Sequence, residues 1–201
     1  MNKLFLDIET IPAEEEKHKL LKEIYDRDLD RGKKLSEWED YLAETNFDGA
    51  FGRICCISYA INDNNPVSLS GDETEILKKF WEIAREADLF IGFNLLNFDL
   101  KFIYQRSMIH GIRPSIDLNF ARYKNFPIFD VMQEWNKWDM RSSISLHKLA
   151  KALNIPSPKD GEIEGKDVGQ AYKEGRIKKI CEYCQRDVEA TRTIYKKLTF
   201  S

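Results

Sequence analysis

Near the start of the chain, apolar and acidic positions alternate. In Phe5-Leu6-Asp7-Ile8-Glu9-Thr10 an extended backbone sends Leu6 and Ile8 to one face and both carboxylates to the other. This pattern predicts a strand that ends at Pro12 and presents two acids side by side. Taken alone, the stretch is better read as an edge strand with one solvated face; Asp99, Tyr183 and Asp187 downstream answer its two acids and predict a central strand instead.

The charged segment Ala13–Asn46 follows. Leu20, Leu21, Ile24 and Tyr25 form one short amphipathic stripe, and Trp38, Tyr41 and Leu42 a second, predicting two helices joined by residues 26–33. That connection has some calcium-loop spacing in Asp26, Asp28, Asp30 and Glu37. Arg31 stands where the sharp turn needs glycine, however, and Gly32 comes one residue late. A solvated helix connection is the better reading.

Gly52–Ile61 is β-branched and apolar, Asn62–Pro66 is dense in turn residues, and Val67–Ser70 alternates, so this region predicts a hairpin. Asp72 or Thr74 caps a helix carrying Ile76, Leu77, Phe80, Trp81, Ile83 and Ala84 at helical spacing. Asp88–Gly92 is a short strand apolar enough to be buried on both faces. A loop through Asp99 then leads into a helix from about Leu100 to His110.

Further on, Phe126–Met132 reads as a strand and Ser145–Leu153 as a short helix. Residues 156–169 form a turn-rich loop with Lys159 and Lys166, and a final helix runs from about Gly175 to Leu198. Three early strands followed by strand–helix alternation predict an α/β fold with a mixed sheet.

Composition narrows the class. A chain of 201 residues with 42% hydrophobic and 32% charged positions suits one substantial globular core. No apolar run approaches the ~18 residues that cross a bilayer. The N-terminus enters a strand without a signal-peptide pattern, so the expectation is a cytoplasmic protein with no membrane partner.

Charge is uneven. Residues 1–100 carry 12 Lys/Arg against 22 Asp/Glu, while residues 101–201 carry 19 against 12. An acidic front and a basic back suit a protein that holds cations with one part and phosphates with another.

Four cysteines raise a zinc or redox reading. Cys55 and Cys56 are neighbours in a strand and face opposite ways, while Cys181-x-x-Cys184 sits inside a helix without a second matching pair. Buried thiols are the expectation. His18, His110 and His147 lie on helical stretches without ligand spacing.

The chemistry gathers elsewhere. Asp99 stands where a loop after a buried strand enters a helix, the place where open α/β sheets form ligand crevices. Tyr183 and Asp187, four apart, share a face of the last helix. Asp7, Glu9, Asp99, Asp187 and one phenol can therefore converge at one end of a sheet. Four carboxylates together repel one another unless cations lie between them. Hard oxygen donors suit two Mg²⁺ or Mn²⁺ ions, which stabilise the attacking and leaving oxygens of an in-line phosphoryl displacement. Asp130 follows an apolar strand and either touches this site or ends its strand.

Asp7-Ile8-Glu9, Asn94-x3-Phe98-Asp99 and Tyr183-x3-Asp187 resemble the three ordered motifs of DEDD-type 3′→5′ exonucleases. Tyrosine ahead of the last aspartate points to the tyrosine subclass (DEDDy). The surroundings are most similar to proofreading domains of family-B DNA polymerases, in their stand-alone, predicted form. These include Gly92-Phe93-Asn94, Tyr183-Cys-Gln-Arg-Asp187-Val, and Ser145-Leu-x-Lys-Leu-Ala with its Gly161-containing loop. The resemblance runs from Leu4 to about Tyr195.

It implies a ribonuclease H-like three-layer fold: a five-stranded mixed sheet with its first three strands antiparallel and the rest parallel, and helices on both faces. Residues 1–201 would form a single exonuclease domain, longer than a minimal one by a helical insertion at about 13–46. Asp7, Glu9, Asp99 and Asp187 would hold two divalent cations, Mg²⁺ or Mn²⁺, and Tyr183 would position or help deprotonate the water. Asn94 would contact the terminal nucleotide, Thr10 and Ile11 would lie under it, and Phe98 would stack on a base.

The implied reaction releases nucleoside 5′-monophosphates from single-stranded 3′ ends, DNA in preference to RNA. Lys101, Arg106, Arg122, Lys124, Arg141 and Lys148 are candidates to hold the backbone, and Tyr123 to stack. The alternative is a nucleic-acid-binding or assembly module on the same fold with weak catalysis. No protein partner is implied.

Overall fold

The computed structural model describes residues 1–139, 141–157 and 161–201. Lys159 and part of the turn-rich loop lie outside the described residues. Five strands, β1 (Lys3–Ile11), β2 (Arg53–Ile61), β3 (Val67–Ser70), β4 (Leu89–Gly92) and β5 (Ile128–Asp130), form one sheet in the order β3-β2-β1-β4-β5. β1 pairs antiparallel with β2, and β2 with β3, while β4 runs parallel to both β1 and β5. β1 is thus the central strand, and the solvated-edge reading falls.

The alternation in β1 sorts its side chains as expected. Leu4, Leu6 and Ile8 pack into an apolar cluster with α3 (Glu73–Ala84) and α4 (Asp99–Ile109). On the other face Phe5 meets Tyr195 of α8 (Ile177–Thr199) edge to face, ring centroids 5.5 Å apart. Asp7 and Glu9 therefore project on the α8 side. The ladder shifts register between Glu9 and Thr10, a bulge that turns the end of the strand.

Caps mark the helix starts. Asp72 accepts from the Glu75 amide ahead of α3, and Ser145 from the Lys148 amide ahead of α6 (Leu146–Ala152). Three expectations need correction. The connection expected at 26–33 is mostly helix, because α1 spans Glu15–Asp30 and α2 begins at Trp38 (Trp38–Glu44). Asp26, Asp28 and Asp30 lie on helical backbone, with Asp26 bound to Lys22 and Asp28 to Lys33, so no calcium loop forms. The strand expected at Phe126–Met132 is shorter, since Asp130 caps α5 (Val131–Trp135) and turns the chain helical. The loop expected up to Gly169 closes in a 3₁₀ turn, Gly165–Asp167, and an additional helix, α7 (Val168–Lys173).

Candidate active site

Three local devices deliver the four acidic side chains. Asp7 and Glu9 come from the central strand, two residues apart. Asp99 is the first residue of α4; it is 3% exposed and accepts a 3.0 Å hydrogen bond from the Ile8 amide. That bond reaches from the helix start to β1 itself, between the other two acids. Asp187 and Tyr183, both buried, come from one face of α8. Cys184 joins them, its Sγ donating to the Asp7 carbonyl oxygen at 3.3 Å and to Asp7 Oδ2 at 3.4 Å. One ligand atom each of Asp7, Glu9 and Cys184 lie within 4.8 Å of one another.

The electrostatics follow from burial without a compensating cation. Asp7, Glu9 and Asp99 take part in no ion pair among the described residues. Burial raises the Asp7 carboxyl well above its ordinary range, and Asp187, Asp99 and Glu9 raise it further. Glu9 is raised in the same way, by burial first and then by Asp187. Burial pushes Asp99 up to about 8 even though its own amide and that of Ile8 oppose the shift. Burial and then the Asp187, Glu9 and Asp7 charges raise the Tyr183 phenol, which stays protonated at neutral pH. A β-carbon added at Gly165 would stand 3.7 Å from the Tyr183 hydroxyl, so the 3₁₀ turn passes close to the phenol.

This donor set fits hard divalent cations: carboxylate oxygens gathered in the protein, three of them raised by burial, whose protons a cation would displace. Cys184 adds a softer atom beside Asp7.

The residues expected beneath a nucleotide are close by. Asn94 adopts a left-handed backbone at φ 59°, and Asp130 holds that turn by accepting from the amides of Asn94 (3.1 Å) and Leu96 (3.0 Å). Asp130 also accepts from the Met132 and Gln133 amides and is fully buried, so its role is to anchor the turn and cap α5. The Thr10 hydroxyl donates to the Asn46 carbonyl, and Ile11 packs with α7 and α8. Phe98 is half-buried, its ring against Phe102 and against Phe47, which is 69% exposed.

Sequence reasoning passed over Phe47, whose signal was an aromatic ring in a polar turn. Beside Asn97, a cleft of about 190 Å³ is lined by Leu96, Phe120, Arg122, Gln133 and Trp138.

Of the expected backbone-binding cations, Lys101, Arg122, Lys124, Arg141 and Lys148 are exposed, and Tyr123 is exposed too. Arg106 is not available. It is buried, bound through Nη2 to Glu73 at 2.7 Å, and belongs to the core. His110 joins Glu73 as well, and His147 contacts Ser157, so neither reaches the acidic cluster.

A family model described as a predicted 3′-5′ exonuclease related to the exonuclease domain of PolB matches residues 49–201. This stretch holds Asp99, Tyr183 and Asp187 and begins after Asp7 and Glu9. An uncharacterized protein of Methanocaldococcus jannaschii is 25% identical over 155 residues, 73% of this chain and 85% of its own length. A DNA polymerase of Archaeoglobus fulgidus is 24% identical over 165 residues, 72% of this chain but 20% of the polymerase. The family B DNA polymerase of the hyperthermophilic archaeon Pyrobaculum calidifontis superimposes with a TM-score of 0.69 at 15% identity. That superposition covers 99% of this chain and 24% of the polymerase, and it shows the fold, the ribonuclease H-like arrangement.

Proposed function

The chain belongs to the family of predicted 3′-5′ exonucleases related to the exonuclease domain of PolB, and on that premise we propose a two-metal-ion, DEDDy-type 3′→5′ exonuclease. It removes nucleoside 5′-monophosphates from single-stranded 3′ ends, DNA in preference to RNA. Residues 1–201 act as one exonuclease domain, with 13–46 as a helical insertion.

The observation that supports this reading is the convergence of Asp7, Glu9 and Asp99 with Asp187, each of the first three raised by burial and by the charge of neighbouring acids. Such a cluster is costly as bare anions and becomes favourable around divalent cations.

Asp7, Glu9, Asp99 and Asp187 would hold the two ions, Mg²⁺ or Mn²⁺. Bound there, the ions would supply Lewis-acid stabilisation of the charge that develops on the phosphoryl oxygens. Tyr183 stays a phenol, so it orients the attacking water by hydrogen bonding instead of taking its proton. Asn94 contacts the terminal nucleotide from a turn that Asp130 holds in shape, and Thr10 and Ile11 lie under it. Phe98, with the exposed ring of Phe47 beside it, stacks on a base. Arg122, Lys124 and Tyr123 carry the strand away from the site.

The test is an end-labelled single strand, DNA or RNA, incubated with Mg²⁺ or Mn²⁺. Mononucleotides are expected from the wild type and not from Asp7→Ala. If neither strand is shortened, or Asp7→Ala cuts as well as the wild type, the reading fails. Metal-dependent thermal stabilisation without hydrolysis of any end would instead favour a binding module.

A further inference from the structure

Three of the four free thiols meet between β2 and α8. Cys56 lies in β2, opposite Glu9 of β1 on one side and Ser70 of β3 on the other. Its Sγ stands 3.5 Å from the Sγ of Cys181. Cys184, one helical turn further on, points at Asp7. Cys55 is turned away, its Sγ donating to the Glu9 carbonyl oxygen. Cys56 and Cys181 are 125 residues apart in the chain, so no local pattern pairs them.

We propose that Cys56 and Cys181 are a modification site: a thiol pair that a hydroperoxide converts to a reversible disulfide joining β2 to α8. Cys56 is fully buried whereas Cys181 is half-buried, so a peroxide reaches Cys181 first, and the contact with Cys56 and burial hold the Cys181 thiol up and slow its attack. Its sulfur attacks one peroxide oxygen, the O–O bond breaks, and a sulfenic acid forms as the first water leaves. The Cys56 sulfur then attacks the Cys181 sulfur; the S–O bond breaks, the S–S bond forms, and the hydroxyl departs as the second water. With hydrogen peroxide, two thiols and one peroxide give one disulfide and two waters, and two electrons pass from sulfur to oxygen. A dithiol reductant reverses the bridge by exchange.

The bridge reaches the acidic cluster through both of its anchors. A disulfide holds its sulfurs about 2.05 Å apart, so the pair closes by roughly 1.5 Å. One anchor is the strand neighbour of Glu9, and the other lies two residues before Tyr183. Displacing a reacting constellation by about an ångström costs tenfold or more in turnover. This consequence for turnover rests on the exonuclease reading; the bridge itself does not.

The experiment uses the full reduced chain treated with hydrogen peroxide, then intact mass and non-reducing peptide mapping. Expected are a mass loss of two hydrogens and a Cys56 peptide joined to a Cys181 peptide. The bridge should be absent in Cys181→Ser, retained in Cys184→Ser and reversed by dithiothreitol. Stepwise oxygen addition without a bridge, a bridge through Cys184, or a bridge between two copies overturns the proposal. In parallel, oxidation should lower wild-type nuclease turnover about tenfold, recovered on reduction, while Cys181→Ser is insensitive to peroxide. Unchanged turnover in the bridged protein would overturn the regulatory part. A reduced protein with no nuclease activity would count against the exonuclease reading alone, because the mapping still scores the bridge.

Discussion

Glu73 and Asp99 are built alike and behave in opposite ways. Each is the first residue of a helix, Asp99 buried and Glu73 half-buried, and each accepts a hydrogen bond from a strand amide, Ile54 for Glu73 and Ile8 for Asp99. Burial pushes both carboxyls up. At Glu73 the Arg106 guanidinium, the Ile54 amide and His110 outweigh it and hold the group below its ordinary value. At Asp99 the neighbours include further acids, and the carboxyl rises to about 8. The same backbone device thus serves two ends. Where the protein supplies the cation, the carboxylate ties α3 to α4; where it supplies none, Asp99 stays raised beside further acids, as the proposed metal site requires.

Removing the raised acid should have the largest effect, and on activity alone. Asp99→Asn is expected to cut nuclease turnover about a thousandfold, several kcal/mol of transition-state stabilisation, in single-turnover assays. It should leave the urea midpoint of the chelator-treated protein unchanged or higher, because it relieves repulsion. A destabilised Asp99→Asn protein with normal turnover would collapse the contrast.

Glu73→Gln should do the reverse. Breaking a buried pair leaves the Arg106 charge uncompensated, at a cost of about 3 kcal/mol of folding stability by denaturant titration. Turnover per folded molecule should be retained.

The pH dependence separates the two sites by sign. Asp99's folded value lies above its unfolded one, so between about pH 4 and about 8 the metal-free native state binds the extra proton. Its contribution is complete below the unfolded value and is lost as pH rises through about 8, at up to ~1.4 kcal/mol per pH unit. Glu73, depressed when folded, contributes stability above its unfolded value and loses it as pH falls through its folded one. Urea titrations with a chelator should decline across the first window. Saturating Mg²⁺ or Mn²⁺ at about a hundred times its Kd should restore about 2.7 kcal/mol. A flat profile with chelator would refute the assignment of unpaired buried acids.

The smaller effects probe the rim of the site. Tyr183→Phe should lower turnover roughly tenfold, about the worth of one hydrogen bond to the attacking water. Tyr123→Ala should weaken single-strand binding by about 1 kcal/mol in a fluorescence titration, with no change in the cleavage step.

Features carried by a short repeat were legible in the sequence. Asp7 and Glu9 share a face because strands repeat every two residues, and Tyr183 and Asp187 do so because helices bring residues four apart together. The central position of β1 followed once Asp99 and Asp187 had to reach it. Other features carried no local signal. The last turn of α1 is polar and looked like a loop, yet Lys22–Asp26 and Lys33–Asp28 pairs lie along it. α7 buries only Val168 and Ala171, too few to display a period. Arg106 reads as a surface cation until its partner Glu73, 33 residues earlier, folds against it. Asp130's grip on the Asn94 turn likewise depends on a fold that brings two strand ends side by side.

The placement of β1 between an antiparallel and a parallel neighbour also guards against misassembly. A slip of one residue against β2 or β4 would drive Asp7 and Glu9 into the apolar layer beneath α3 and α4, and turn Leu6 and Ile8 outward to α8. A molecule with its acids misplaced would therefore lose its core as well, and be exposed to proteolysis instead of persisting as an inactive competitor for nucleic acid ends.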